Sequence, residues 1–367
     1  KLAYFREKVF QIYLKSFILL NITTPTLLVD LQKCKANIAK MVQKAQKSKV
    51  IFRPHFKTHQ SKEVGELFRE FSVTKITVSS VEMAKFFAQH GWHDITIAFP
   101  VNVLELAKIN ILAKNIQLNL LVESVEVAEI LGKKLKHQVG IFIKIDTGYG
   151  RTGIIFQKTN EIDELMQKIT FYSHLNFKGF LAHAGHSYKI RNDKNAIQSI
   201  YDECKNALQF LKQKYIATYP QIIVSAGDTP TCSIVEKMEG LDEIRPGNFV
   251  YYDLTQWQIG SCSLDEIAVA VACPVVAKHA DRHEIIVYGG GVHLSKDRLQ
   301  LPNGQTIWGY ATQMKNGSWT AINRNIFVKS LSQEHGIIRV NAAFFEEIKI
   351  GDMVAILPIH SCMAAHL

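Results

Sequence analysis

The sequence predicts an α/β protein: an eight-stranded (β/α)8 barrel of the TIM type, followed by a second, mostly β domain. From Thr26 to about Asp253, short β-branched runs alternate with longer segments of helical period. After about Trp257 the long helical segments stop, and short strands separated by turn residues follow. Strict alternation indicates parallel βαβ units, and eight strands fit a closed barrel better than an open doubly wound sheet, which is the alternative.

Short β-branched runs mark the barrel strands. They are Leu27–Asp30, Val50–Arg53, Lys75–Ser79, Asp94–Ala98, Gln117–Val122, Val139–Asp146, Phe177–His183 and Gln221–Ser225. Apolar residues at steps of three and four indicate an amphipathic helix between the first two strands. These residues are Leu31, Cys34, Ile38, Met41 and Ala45. The same spacing predicts further helices at Val81–Gln89, Val103–Lys114, Ser124–Lys136 and Asp193–Lys214.

The second domain is predicted from five strand candidates. They are Ile267–Ala277, Glu284–Tyr288, Ile326–Ser330, Gly336–Val340 and Met353–Leu357. We therefore expect a barrel domain over residues 25–255 and a β domain over residues 256–367. The first 24 residues lie outside the barrel and either stand apart or join the β domain.

Composition excludes several classes of protein. Hydrophobic residues make up 47% and charged residues 21%, which excludes a disordered or fibrous chain. The longest apolar runs, such as Phe17–Ile22, are too short to cross a bilayer, and no export signal is evident. The net charge of +10 is spread over many amphipathic segments, which argues against nucleic acid and favours small anionic ligands. Six cysteines without CxxC spacing are typical of a reduced, cytoplasmic protein.

The reactive residues of a parallel barrel lie where strands end, so the segments after the strands are the candidate site. Lys57 follows the second strand, beside Arg53, His55 and His59. A lysine in such a place is a candidate base or a candidate for covalent attachment of a carbonyl compound. The alternative is an ordinary surface lysine in a turn.

The segment Asp146–Gly153 follows the sixth strand and matches GxGxxG formally. A dinucleotide site is therefore one interpretation, although lone matches are common and this one lies mid-chain. The other interpretation is that the glycines shape a loop that presents Arg151.

Two later loops carry polar groups. His183 opens the loop after the seventh strand, where it is either functional or a hydrogen-bonded core residue. The segment Ser225–Thr231 opens a helix and is either an anion cradle or an ordinary helix cap. The segment Arg245–Asn248 follows closely and offers further backbone donors.

His360 and Cys362 end the strand candidate Met353–Leu357 and are two residues apart. In a strand, residues i and i+2 point to one face. An imidazole nitrogen and a thiolate together suit zinc, and two protein ligands leave positions open for catalysis. Core packing is the alternative for so short a motif.

Taken together, these segments resemble the fold-type III pyridoxal-phosphate enzymes, the alanine racemase group, and within it the D-serine dehydratase and D-threonine aldolase family. The resemblance runs from about Thr24 to the C-terminus. It implies that Lys57 binds pyridoxal 5'-phosphate covalently and that His360 and Cys362 bind a metal, zinc or manganese. It implies the remaining contacts as follows: Arg151 with the phenolic oxygen, His183 beside the pyridine ring, Arg245 near its nitrogen, Tyr188 in the pocket wall, and Ser225, Gly227, Thr229, Gly247 and Asn248 around the phosphate.

The resemblance also implies a lyase that acts on a small D-3-hydroxy amino acid. Dehydration to a keto acid and ammonia is the first expectation. Retro-aldol cleavage to glycine and an aldehyde is the alternative, although the aldolases more typically have Asp at the Cys362 position. An amino-acid racemase is a third hypothesis, but a racemase needs a second base that the sequence does not identify. A homodimer is expected from the resemblance alone.

Overall fold

The computed structural model of the protein describes residues 10–11, 22–315 and 317–366. It divides into two compact units. The barrel unit runs from Ile38 to Phe249 and includes Ile259–Ser261. The β unit combines the described residues up to Asn37 with Val250–Gln258 and with the described residues from Cys262 onward.

Eight parallel strands form the barrel, as predicted. Along the sheet they are Ile51–Phe52, Glu243–Ile244, Ile223–Ala226, Leu175–Ala182, Val139–Asp146, Gln117–Val122, Asp94–Pro100 and Lys75–Val78. A short strand, Ile154–Ile155, pairs with Val139–Asp146. His55 forms a parallel bridge with Thr77, and the Phe56 amide donates to the Thr77 carbonyl at 2.8 Å. These contacts join the two ends of the sheet, so the barrel is nearly closed.

One predicted barrel strand is wrong. The segment Thr26–Val29 pairs antiparallel with Val269–His279 of the β unit, with Leu28 opposite Ala270. It also pairs in parallel with Phe10–Gln11. The eighth barrel position belongs to Glu243–Ile244, which lies between Ile51–Phe52 and Ile223–Ala226. A two-residue strand that begins with a charged residue has no apolar alternation, so the sequence pattern could not reveal it.

One helix follows Thr26–Val29, and the others follow strands of the barrel. They are Leu31–Lys47, Lys62–Arg69, Val81–Gln89, Leu106–Asn115, Val125–Lys134, Thr159–Phe171, Lys194–Tyr215 and Thr229–Ile234. Three of them begin at a serine whose hydroxyl accepts from a backbone N–H three residues later: Ser61, Ser80 and Ser124. Such caps satisfy N–H groups that have no partner inside the helix. Within the described residues, no helix is long and apolar enough to cross a membrane.

The β unit is built on a ring of six antiparallel strands. In order they are Val269–His279, Glu284–Tyr288, His335–Arg339, Phe327–Leu331, Gly309–Lys315 and Met353–Pro358, and the last pairs back with the first. Shorter strands are Ser318–Trp319, Leu299–Gln300 and Thr306–Ile307, and short helices are Gly291–Leu294, Ala342–Glu347 and Ser361–His366. Buried side chains such as Cys273, Ile285, Val328 and Ile356 fill its core. The predicted β character is confirmed.

Candidate active site

The ends of the barrel strands bring basic side chains together. Burial lowers the pKa of His183 well below its usual value, and the positive charges of Lys144, Lys57 and Arg151 lower it further. Burial also lowers the pKa of His55, together with the charges of Lys57 and Arg245. The predicted residues Lys57, Arg151, His183 and Arg245 therefore share one electrostatic environment. An anionic ligand would offset the positive charge collected there.

Lys57 lies in the turn after Ile51–Phe52, and its side chain is exposed. Its backbone N–H donates to His55 Nδ1 at 3.3 Å, and the neighbouring Phe56 is buried against Phe68, Phe87 and Trp92. The aromatic packing anchors the turn, so the lysine projects from a fixed backbone. The amine is accessible to a carbonyl compound.

The loop that carries Arg151 is organised by a carboxylate. Asp146 accepts hydrogen bonds from the amides of Gly148, Tyr149 and Gly150 at 3.0–3.1 Å. These N–H groups are therefore not available to a pyrophosphate, which argues against the dinucleotide interpretation. The Arg151 guanidinium lies 5.0 Å from the centre of the Tyr149 ring, a cation–π contact that orients it.

Arg245 belongs to a buried network inside the barrel. Its Nε and Nη2 donate to Ser225 Oγ at 2.9 and 2.6 Å, and Nη2 pairs with Glu243. Glu243 also pairs with Arg53 Nε at 2.6 Å and accepts from Ser225 Oγ at 2.8 Å. Burial lowers the pKa of Arg245 to about 10, although Glu243 opposes the shift. Ser225, which we expected at the phosphate, is thus engaged with Arg245 and Glu243.

The two loops expected around the phosphate, and the loop of Tyr188 expected in the pocket wall, meet at Thr229. Its backbone N–H donates to the Tyr188 hydroxyl at 3.3 Å, and its Oγ1 accepts from the Phe249 amide at 3.2 Å. Asn248 lies next to that amide and is buried. The structure therefore brings Tyr188, Thr229 and Asn248 into one region.

The helix after Asp228 is capped in the ordinary way as well. Asp228 accepts from the Thr231 amide at 3.0 Å and from Ser187 Oγ at 2.7 Å.

Two glycines near the expected phosphate could not be replaced by larger residues. Gly227 has a φ of +124°, and a Cβ there would lie 2.9 Å from Cys232 Sγ. A Cβ at Gly247 would lie 2.8 Å from the His55 carbonyl oxygen. Only glycine fits these positions, so the backbone can approach closely where an anion is expected.

Two charged residues near the barrel site were missed in the sequence. Lys144 is only 5% exposed, and burial lowers its pKa to about 8. Glu243 is fully buried between Arg53 and Arg245. The sequence could have revealed Lys144, because a lysine is unusual inside an otherwise apolar run such as Val139–Ile145. Glu243 had no comparable signal.

The donor pair His360 and Cys362 lies in the β unit, and the reason given for their proximity was wrong. The strand ends at Pro358, and Cys362 belongs to the helix Ser361–His366. The two side chains nevertheless interact by a hydrogen bond. Burial opposes the charge of His360, but its bonds to Asp297 and Cys362 outweigh burial and raise its pKa to about 10.

An imidazole and a thiol in contact fit a soft divalent metal such as zinc. The described residues contain no group of three or more His, Cys, Asp or Glu side chains that could hold a metal. A metal on this pair would therefore keep coordination positions for water or substrate.

Two further residues support the pair, and the sequence reasoning missed both. Asp297 Oδ2 lies 3.0 Å from His360 Nδ1. Asp253 accepts from the amide and the hydroxyl of Ser361 at 3.0 and 3.3 Å. Both residues are distant in sequence from the pair, so no motif links them.

Family models match both the barrel part and the β part of this chain. The model described as "Alanine racemase, N-terminal domain" matches residues 29–255. The chain belongs to this family. A second model, described as "Putative serine dehydratase domain", matches residues 268–367, where His360 and Cys362 lie.

Individual proteins agree with the family assignment. D-serine dehydratase of Dictyostelium discoideum is 29% identical over 94% of this chain and 91% of its own length. The structure of D-threo-3-hydroxyaspartate dehydratase from Delftia sp. HT23 matches with a TM-score of 0.86 and 27% identity, over 94% of this chain and 92% of that one. A C-to-A mutant of that dehydratase is known in a metal-free form. D-threonine aldolase of Arthrobacter sp. is 21% identical over 93% of this chain and 86% of its own length.

Proposed function

We propose that this chain is a pyridoxal-phosphate- and metal-dependent lyase that eliminates water from a D-3-hydroxy amino acid, as D-serine dehydratases do. The observation that carries the proposal is the donor pair His360 and Cys362. An enzyme that used only pyridoxal phosphate, bound at the basic residues of the barrel, would not need such a metal-binding pair. The relatives named as dehydratases match this chain over 94% of its length, which supports the same reaction type.

The residues of the barrel unit suit pyridoxal phosphate. Lys57 is the exposed amine that would hold it covalently, and Arg151, His183 and Arg245 form the basic surroundings. Tyr188, Thr229 and Asn248, with Gly227 and Gly247, are the residues that would hold the phosphate. When bound, the cofactor supplies an electron sink that makes the Cα proton of the substrate removable. Lys57 Nζ is the base that would take this proton.

The residues of the β unit suit zinc or manganese. His360 would bind the metal through an imidazole nitrogen, and Cys362 would bind it as thiolate. A metal held by these two residues would supply a Lewis acid for the departing 3-hydroxyl group of the substrate. Loss of this hydroxyl together with the Cα proton removes one molecule of water. The product is an enamine that hydrolyses to a keto acid and ammonia.

Retro-aldol cleavage is the second candidate, because the Arthrobacter D-threonine aldolase also matches most of this chain. In that reaction a base removes the proton of the 3-hydroxyl, and the Cα–Cβ bond breaks. The thiol at Cys362 favours dehydration over cleavage. We propose in addition that the enzyme is a homodimer, as the family resemblance implies, and that it is cytoplasmic, as its cysteines without CxxC spacing indicate.

The proposal is tested by comparing Cys362→Ala with Cys262→Ala. Both positions are partly exposed cysteines of the β unit. Cys362→Ala, like chelator treatment of the wild-type enzyme, should abolish keto acid formation from D-serine, and Cys262→Ala should leave it intact. Added zinc should restore the chelated wild type but not Cys362→Ala. Undiminished keto acid formation by Cys362→Ala would refute the metal-dependent elimination.

A further inference from the structure

The contacts of His360 with Asp297 point to a residue that prepares the metal pair. We infer that Asp297 is a positioning residue: its carboxylate fixes the His360 ring so that the other ring nitrogen, Nε2, faces the metal. This inference rests on the proposed function, because it assumes that His360 and Cys362 bind a metal.

The hydrogen bond defines which ring nitrogen is turned away from Asp297. Asp297 Oδ2 lies 3.0 Å from His360 Nδ1. An ionised carboxylate only accepts hydrogen bonds, so Nδ1 must carry the proton and donate it. A metal that binds the ring displaces its second proton, so the lone pair that the metal uses lies on Nε2. Metal-ligating histidines commonly bind a carboxylate through their second nitrogen in this way.

Asp297 is itself held in place. Its backbone N–H donates to Ser295 Oγ at 3.1 Å, and Ser295 has a φ of +64°, a left-handed conformation. This turn therefore holds the Asp297 carboxylate in place beside the imidazole ring of His360.

The backbone around His360 is fixed independently of Asp297. Asp253 accepts from the amide of Ser361, and Thr255 donates to the carbonyl of Ile359 through both its amide and its hydroxyl. These bonds hold the residues on either side of His360. Removal of the Asp297 carboxylate should therefore free the ring without unfolding the turn.

Asp297→Ala and Asp297→Asn test the inference in the full-length, cofactor-loaded protein after its metal has been removed by chelation. The side chain of Asp297 is 48% exposed, so both variants should fold. Cobalt(II) is titrated into each protein, and binding is followed by calorimetry and by the thiolate-to-cobalt charge-transfer absorption. We expect Asp297→Ala to bind cobalt about 10- to 100-fold more weakly. Asn retains an acceptor oxygen, so Asp297→Asn should lose less.

Two controls make the result specific. Asp281→Ala removes a more exposed carboxylate of the same unit, whose nearby partner is Arg282, and should bind cobalt like the wild type. His360→Ala removes the ligand itself and should not form the charge-transfer complex of the wild type. Thermal unfolding of each metal-free protein separates a loss of ligand geometry from a loss of fold.

The outcomes separate the inference from the proposed function. If wild type and Asp297→Ala bind cobalt within about twofold of each other, while His360→Ala does not bind, the positioning role is refuted and the metal pair stands. If the wild type itself does not bind cobalt, the metal pair is refuted and the inference falls with it. Should Asp297→Ala fail to fold, Asp297→Leu, which has a similar volume and no acceptor oxygen, takes its place. Wild-type affinity and spectrum in that variant would likewise refute the positioning role.

Discussion

Two lysines of the barrel unit differ in a way that makes the cofactor assignment testable. Lys57 is exposed at the end of a short strand, whereas Lys144 is buried in the strand Val139–Asp146 and has a pKa lowered to about 8. A lowered pKa makes an amine more nucleophilic at neutral pH, so Lys144 is the strongest competitor for the carbonyl. Accessibility favours Lys57, and the family resemblance names the same residue.

We predict that borohydride reduction of the cofactor-loaded enzyme, followed by peptide mapping, marks the peptide that contains Lys57. Reduction makes the bond between cofactor and lysine permanent, so the label records which amine carried it. Lys57→Ala should lose the label and the visible absorption of the cofactor. A label on the peptide that contains Lys144 would overturn the assignment.

At the residue scale, the sequence predicted a site residue wherever a reactive side chain comes shortly after a predicted strand. Lys57, Arg151 and His183 each follow a strand that the sequence pattern predicts, so their convergence could be predicted from the alternation of strands and helices. Asp297 and Asp253 could not be found, because they meet His360 and Ser361 across 63 and 108 residues. Ser225 matched the phosphate loop by motif, but its hydroxyl is bound by the neighbouring Arg245 and Glu243.

At the scale of elements, seven strands of the barrel were predictable and Glu243–Ile244 was not. Val139–Asp146 and Gln117–Val122 have the buried, largely apolar runs that are typical of parallel sheets. Glu243–Ile244 has only two residues, and Glu243 is held by Arg53 and Arg245 rather than by an apolar pattern. The segment Thr26–Val29 is a strand, as its apolar run predicted, but it pairs with Val269–His279. The apolar pattern of a segment predicts a strand and does not predict which strand it pairs with.

Glu243 should therefore be essential to the barrel. Burial would raise its pKa, but Arg53 and Arg245 outweigh burial and lower it, so Glu243 is ionised at neutral pH. Glu243→Gln leaves the two buried guanidinium groups without their shared carboxylate. We expect a loss of about 3–5 kcal/mol in the free energy of unfolding, measured by urea denaturation.

The matched control is Glu239→Gln, because the Glu239 side chain is 72% exposed and pairs only loosely with Lys237. It should change the free energy of unfolding by less than about 0.5 kcal/mol. Equal unfolding midpoints for the wild type and Glu243→Gln would show that the network contributes no net stability.

At the scale of the whole molecule, the two units carry different parts of the proposed chemistry. The barrel unit contains the basic residues that suit pyridoxal phosphate, and the β unit contains the imidazole and thiol that suit a metal. The change from helical to strand periodicity after Trp257 made this division into a barrel and a β domain predictable. The central claim is that the enzyme eliminates water from a D-3-hydroxy amino acid and needs both pyridoxal phosphate and a metal to do so.

That claim is tested most directly by identifying the products formed from D-serine and from D-threonine by the purified enzyme, loaded with pyridoxal phosphate and zinc. The account predicts pyruvate or 2-oxobutyrate, each with an equal amount of ammonia, and no turnover by Lys57→Ala. Glycine together with formaldehyde or acetaldehyde, without a keto acid, would contradict the account and assign the enzyme to aldol cleavage instead.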